Sequence, residues 1–292
     1  MSAFVYPASP INRNRATKAE MEERARFLTA YAEEHGPVTV RQLYYQAEVA
    51  GLPGIDKTES GYNKIQAQVL NLRRTGRLDY GDIADATRWM RKPPSYNSIK
   101  DALDQCARTY RRNLWADANC HVEIWCEKDA LAGVILPVTA KWDVPLMVAR
   151  GFASETFCYE AIAARGDDDR PYFVYYLGDF DRAGQDAAKA LEEKLCRFAE
   201  EDGIEVIFEA ISVTLEQIAL MGLPTRSPKR ESRADQNWPY RFACELDAIP
   251  PDAMRAMVEG AINRHIDQQQ LGVIEIAERD ERELLRLWAM QR

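Results

Sequence analysis

The sequence predicts an α/β protein in which a small helical module precedes a mostly parallel sheet flanked by helices. Three observations carry that prediction. Between residues 17 and 75, capping residues, apolar positions at helical spacing and Gly or Gly-Pro stops recur in order. From Val122 onward, short apolar runs alternate with helical stretches, the order that builds βα units. The two strongest runs, Val122 to Cys126 and Tyr172 to Leu177, are apolar or aromatic almost throughout, as expected of strands covered on both faces.

Each element follows from local chemistry. Thr17-Lys18-Ala19-Glu20 has the form of a capping box and opens a helix bearing Met21, Phe27, Leu28 and Tyr31, which Gly36-Pro37 ends. Thr39 caps a second helix from Val40 to about Ala50, closed by Gly51. A third runs from about Ser60 to Thr75, with Ile65, Val69 and Leu72 on one face and Gly76 as its stop. Residues 76–81 have the composition of a short hairpin wing. Lys92-Pro93-Pro94-Ser95 reads as an interdomain hinge, followed by a helix over 98–114 with Arg108, Arg111 and Arg112. Strands are expected near 122–126, 145–150, 172–178 and 204–209, and helices near 129–141, 154–164, 184–200 and 252–266. The resulting division is a helical domain over 1–92, a linker helix over 93–121, and an α/β domain over 122–292 that includes a C-terminal extension.

Composition narrows the function classes. The 292 residues, 46% hydrophobic and 29% charged, are enough for two domains with cores of their own, so disorder is not the default. No apolar run reaches membrane-spanning length, and Met1 to Pro7 lacks a basic stretch leading into an apolar one, so a cytoplasmic location is expected. Cys106, Cys120, Cys126, Cys158, Cys196 and Cys244 are scattered without a C-x-x-C and read as free thiols. With only His35, His121 and His265 present, a histidine-clustered metal site is excluded. The net charge of −8 hides an asymmetry: residues 1–120 carry four more Lys and Arg than Asp and Glu, and the remainder twelve fewer. A phosphate-binding surface is therefore expected mainly in the first part, with the polar, basic stretch from Arg226 to Asn237 as an exposed loop able to touch phosphate.

Both strong apolar runs stop at acids: Glu127 after the first, and Asp179 with Asp181 after the second. The carboxyl ends of parallel strands are where such sheets bind ligands, so these three carboxylates are candidates to converge. Ionised carboxylates about 5 Å apart repel by roughly 3 kcal/mol per pair at an effective dielectric near 20, so the cluster needs a cation. Oxygen-only ligands suit a hard ion, Mg²⁺ first. Solvated turn acids are the alternative reading.

The helical module supplies a nucleophile candidate. In Thr39-Val40-Arg41-Gln42-Leu43-Tyr44-Tyr45, Arg41 and Tyr45 share a helix face and Tyr44 points about 100° away. A phenol at its ordinary pKa costs roughly 4 kcal/mol to use as an anion at neutral pH, and Arg41 is a cation placed to lower that cost and to grip a phosphate. An aromatic pair in a helical core with a surface arginine beside it is the competing interpretation. Lys64, Arg73, Arg74 and Arg77 decorate the third helix and its exit, making helix, turn, basic helix and wing a candidate DNA-reading module.

Together these features resemble the A subunit of type IIB topoisomerases, topoisomerase VI, and its relative, the meiotic double-strand-break transesterase. That family joins a winged-helix domain carrying an R-[DE]-x-[YF]-Y motif to a Toprim domain, a Rossmann-like, mostly parallel sheet with a glutamate and a D-x-D. Arg41-Gln42-Leu43-Tyr44-Tyr45, Cys126-Glu127-Lys128, and Asp179-Phe180-Asp181 with Gly184 match the motifs in order, over about residues 17–200, and Gly151-Phe152-Ala153-Ser154 is similar to the family's glycine turn. The resemblance implies that Tyr45 becomes linked to a DNA 5′-phosphate, that Arg41 assists, and that Glu127, Asp179 and Asp181 hold Mg²⁺. It further implies a homodimer on double-stranded DNA, in which one protomer's tyrosine meets the other's metal site. Gln42 departs from the family's acid, Arg182 stands where proline is common, and ATP-driven strand passage would need a separate ATPase subunit. Two rival functions remain: a Toprim endonuclease that activates water, and a non-catalytic DNA-binding or assembly protein.

Overall fold

A computed structural model describes residues 16–84, 93–230 and 236–290. The chain start, Lys92 of the expected hinge together with the expected domain boundary there, and residues 231–235 of the basic loop lie outside that set. The described residues form a mixed α/β structure with ten α-helices and one four-stranded sheet. None of these helices is long and apolar enough to cross a membrane.

The helical part is built as the capping signals dictate. Helices α1 (Lys18–His35), α2 (Val40–Val49) and α3 (Glu59–Arg74) pack around Leu28, Leu43, Ile65, Val69 and Leu72. Thr17 with Glu20, and Thr39 with Gln42, form reciprocal capping boxes that satisfy the free N–H groups of the first turn. The expected wing is not formed at residues 76–81, which make turns. Leu78 is drawn into the core beneath α3, and the chain returns as a lone parallel bridge between Ile83 and Val38. One buried leucine in so short a segment anchors it to the helices better than two exposed strands could pair.

The sheet consists of β1 (His121–Cys126), β2 (Leu146–Val148), β3 (Tyr172–Leu177) and β4 (Val206–Ser212), all parallel in the order β2-β1-β3-β4. Alternation assigns Val122, Ile124 and Cys126 to one face and Trp125 to the other. The first face packs on α5 (Asp129–Lys141) and α9 (Pro251–Asn263), the second on α6 (Glu155–Ala163) and α7 (Arg182–Glu201). Strand β2 is shorter than the spacing suggested because Arg150 and Gly151 both take left-handed backbone angles and turn the chain away. Strand β4 starts later than expected because Ile204 is still tied to the end of α7, its N–H donating to the Ala199 carbonyl.

Helix α4 (Ile99–Thr109) stops short of the expected 114. Tyr110 leaves the helix, and the Arg111 guanidinium instead donates to the last carbonyls of α5 at Ala140 and Lys141. Two elements had no forecast: α8 (Leu215–Met221), and a long α10 (Gln268–Met290) that packs against α4, with Tyr110 donating to Glu281 Oε2 at 2.7 Å.

The segment from Cys244 to Arg255, with its 3-10 turn Leu246–Ala248, joins the two halves. Gln42 Nε2 donates to the Ile249 carbonyl at 3.3 Å, Arg41 pairs with Glu245 at 2.7 Å, His35 pairs with Asp252, and Arg255 donates to the His35 and Pro37 carbonyls. These contacts fix α2 against the carboxyl edge of the sheet.

Candidate functional site

Strand order decides where the acids meet. The connection after β1 leads to β2 on one side, whereas β3 and its successor lie on the other, so the crevice between the ends of β1 and β3 is the topological switch point. Cys126 pairs with Leu177 in register, which sets Glu127 beside Gly178 and Asp179. Glu127 Oε2 accepts the Asp179 N–H at 2.9 Å. A Cβ on Gly178 would lie 2.5 Å from the Tyr176 ring and 3.0 Å from Glu127 Oε2, so only glycine allows this approach. Gly151, at φ 81°, donates to the Glu127 carbonyl and closes the crevice from β2.

Asp179 and Asp181 are held differently. Asp179 Oδ1 accepts from Lys128 Nζ at 2.8 Å and from the Leu246 N–H at 2.7 Å. Asp181 caps α7 through Oδ1, which accepts from the Gly184 N–H at 2.8 Å, and its Oδ2 pairs with Arg226 at 2.7 Å. Burial and the Asp179 charge push the Glu127 carboxyl above its usual range. Burial likewise raises Asp179, with Lys128 only partly offsetting it.

Two further carboxylates belong to the site and had gone unrecognised. Phe180 and Cys244 exchange backbone hydrogen bonds as an antiparallel bridge, which lays Glu245-Leu246-Asp247 beside Asp179-Phe180-Asp181. Lys128 Nζ lies 2.7 Å from Asp247 and 3.7 Å from Glu245. Burial lowers the Lys128 ammonium, but Asp247, Asp179 and Glu245 outweigh it and hold the group well above its usual value. The available signal was the acid-x-acid spacing of residues 245–247, but no apolar run of strand length precedes it.

These acids line a cleft of about 1000 Å³ between the two halves, with Arg41, Tyr62, Gln66 and Arg73 contributed by the helical part. Tyr62, Gln66 and Arg73 share one face of α3. The four expected DNA-contacting residues are therefore not one surface. Arg73 faces the cleft and stacks over Tyr80, Arg74 is exposed, and Lys64 and Arg77 border a different depression, where Arg77 makes a two-pronged pair with Glu22.

Tyr44 is buried, its hydroxyl donating to the Asp56 carbonyl at 2.8 Å, while Tyr45 is half-buried against both cores. Tyr45 lines a smaller cavity of about 270 Å³ rather than the acid cleft. Arg41, Tyr62, Arg226 and Glu245 border both cavities and form the wall between them. Burial pushes the Tyr45 phenol well above its ordinary value and Glu245 adds to the shift. Arg41 acts in the expected lowering sense but is outweighed, its own Nη1 being paired with Glu245.

Gln42 is fully buried. Its Oε1 accepts the Thr39 N–H at 3.0 Å and its Nε2 donates across to Ile249, a bond no carboxylate could make. An amide at this position thus has a local role that a carboxylate could not fill.

No protein-family model matches the chain, and no curated protein matches it.

Proposed function

We propose that this protein cleaves double-stranded DNA in the cytoplasm with the help of Mg²⁺, by tyrosine transesterification on a winged-helix and Toprim framework like that of the topoisomerase VI A subunit. The observation that carries this reading is the shared cleft: acids from the switch point of a parallel sheet and Arg41 and Arg73 of the helical part line one space of about 1000 Å³, which puts cations for a phosphate beside the acids. An exposed apolar face on α10, with Val273, Ile276, Leu284 and Leu287, supports a homodimer. A separate ATPase subunit would be needed for strand passage.

The carboxylates fit a hard cation in part. Glu127 Oε1 and Asp179 Oδ2 take no hydrogen bond among the described residues, and both groups carry charge that burial disfavours. Asp181 does not fit as placed, since both its oxygens are engaged, and no group of three such side chains is arranged around one point among the described residues. Glu127 and Asp179 would hold Mg²⁺, which supplies positive charge to the phosphate in the transition state. The residues of the chain do the rest. Arg41 grips the phosphate, and the Tyr45 oxygen attacks phosphorus. A phosphorus–Tyr45 bond forms, the bond to the 3′ oxygen breaks, and the phenolic proton ends on that oxygen.

A second reading, hydrolysis by an activated water, is favoured by the raised Tyr45 phenol and by its place in the smaller cavity. Supercoiled plasmid incubated with the protein and Mg²⁺ or Mn²⁺, then treated with protease, separates the two. Transesterification predicts a protein-linked cleavage product lost in both Tyr45→Phe and Asp179→Ala. Cleavage that persists in Tyr45→Phe and vanishes in Asp179→Ala selects the hydrolase. An adduct unchanged by Tyr45→Phe refutes the role given to that residue.

A further inference from the structure

The wall between the two cavities has a feature that neither the acids nor the tyrosine requires. Arg41, from α2, and Arg226, from the loop after α8, approach the same carboxylate from different halves of the protein. Glu245 Oε2 lies 2.7 Å from Arg41 Nη1, and Glu245 Oε1 lies 3.3 Å from Arg226 Nε. That Nε is buried and makes no hydrogen bond, so the ion pair leaves a donor without a well-aimed acceptor. Arg226 also holds Asp181, and Lys128 stands 3.7 Å from the same Glu245 oxygen that Arg41 contacts.

We propose that Arg41 and Arg226 form the subsite for the phosphodiester that is cleaved, and that Glu245 is an internal carboxylate occupying this subsite until a phosphate displaces it. The inference rests on the DNA-cleaving reading above. A carboxylate and a phosphodiester each present two oxygens and one negative charge to a guanidinium, so the exchange leaves the charge balance of the arginine pair unaltered. Position argues the same way. Both arginines border the cavity that holds Tyr45 and the cleft that holds Glu127 and Asp179, so an anion between them is next to the nucleophile and next to the acids at once. Glu245 is therefore a positioning residue that pre-sets two arginines and is itself a competitor of the substrate.

The test is binding of a duplex DNA oligonucleotide to the full chain in EDTA, measured over a range of KCl concentrations so that no cleavage contributes. Glu245→Gln keeps the shape and removes the competing charge. It should bind about tenfold more tightly at fixed low salt, with the slope of log affinity against log salt unchanged, because the natural chain makes the same phosphate contact once Glu245 is displaced. Arg226→Gln should flatten the slope by about 0.9, whereas Arg226→Lys should keep the slope and lose affinity severalfold, because an ammonium cannot grip two oxygens. Circular dichroism melting of each variant separates loss of the subsite from loss of the fold. DNA binding with unchanged affinity and slope in folded Glu245→Gln and Arg226→Gln overturns the subsite alone. No binding by either the natural chain or Glu245→Gln at low salt overturns the DNA reading and the subsite with it.

Discussion

Replacing Gln42 with glutamate changes one atom and isolates the contact that ties α2 to the sheet domain. The side chain is fully buried, and its Oε1 accepts the Thr39 N–H, a bond that a carboxylate keeps. What is lost is the 3.3 Å bond from Nε2 to the Ile249 carbonyl, and what replaces it is a charged oxygen facing that carbonyl. The lost bond is worth about 1 kcal/mol and the unpaired buried group about 1–3 kcal/mol, so Gln42→Glu should destabilise by roughly 2–4 kcal/mol at neutral pH. For a chain of this size that is a fall in melting temperature of roughly 3–7 °C. Burial raises the carboxyl of the variant in the folded state, and the protonated acid can donate to Ile249 as the amide did. The destabilisation is therefore full above the raised folded-state pKa and fades as pH falls toward the unfolded value of about 4.3. Melts of the variant and the natural chain at pH 7 and pH 5 measure the difference directly. A difference under about 0.5 kcal/mol at pH 7, or one that does not shrink at pH 5, refutes the claim that this amide is chosen for its donor.

Gly178→Ala places a methyl 2.5 Å from the Tyr176 ring and 3.0 Å from Glu127 Oε2, so it should cost about 1–3 kcal/mol of stability and raise the Mg²⁺ concentration needed for cleavage severalfold. An unchanged Mg²⁺ dependence in the cleavage assay would mean that Glu127 is not held by this approach. Arg73→Gln should weaken duplex binding and flatten its salt slope by about 0.9, while Lys64→Gln and Arg77→Gln leave both unaltered. Equal weakening by Arg77→Gln would place the DNA path outside the cleft.

Much of this arrangement is legible in the residues, for reasons of periodicity. The runs ending at Cys126 and Leu177 are apolar because both faces of a central parallel strand are covered, and the first acid after each must then stand at the sheet's edge. The spacing of Tyr44 and Tyr45 separates a buried ring from a half-buried one in the same way. Glu245 and Asp247 escaped notice because they reach the site through one bridge to Phe180, and a single pair leaves no period to read. Helix α10 escaped because Glu275, Glu278, Arg279, Asp280, Glu281 and Arg282 interrupt its apolar positions; Glu281 pairs with Arg112 of the linker, and Arg282 with Glu278 of the same helix. The basic residues of α3 divide between two surfaces for a different reason: helical spacing places Arg73 opposite Lys64, but only the packed neighbour decides which side is the cleft.

The need for a cation, argued from carboxylate repulsion, is met in part by the protein itself. Five carboxylates, Glu127, Asp179, Asp181, Glu245 and Asp247, are interleaved with three cations, Lys128, Arg41 and Arg226, which leaves two negative charges in excess. That excess is not spread evenly. Glu245 is held below its usual pKa, since Lys128, Arg41 and Arg226 together outweigh its burial, whereas Glu127 and Asp179 are both raised. Compensation is thus strongest at Glu245, while Asp179 has Lys128 alone and Glu127 makes no ion pair among the described residues. Arg41 and Arg226 are tied to each other through Glu245, so freeing one arginine bears on the other. An anion that displaces Glu245 would free Arg41 and Arg226 together, since the same carboxylate holds both.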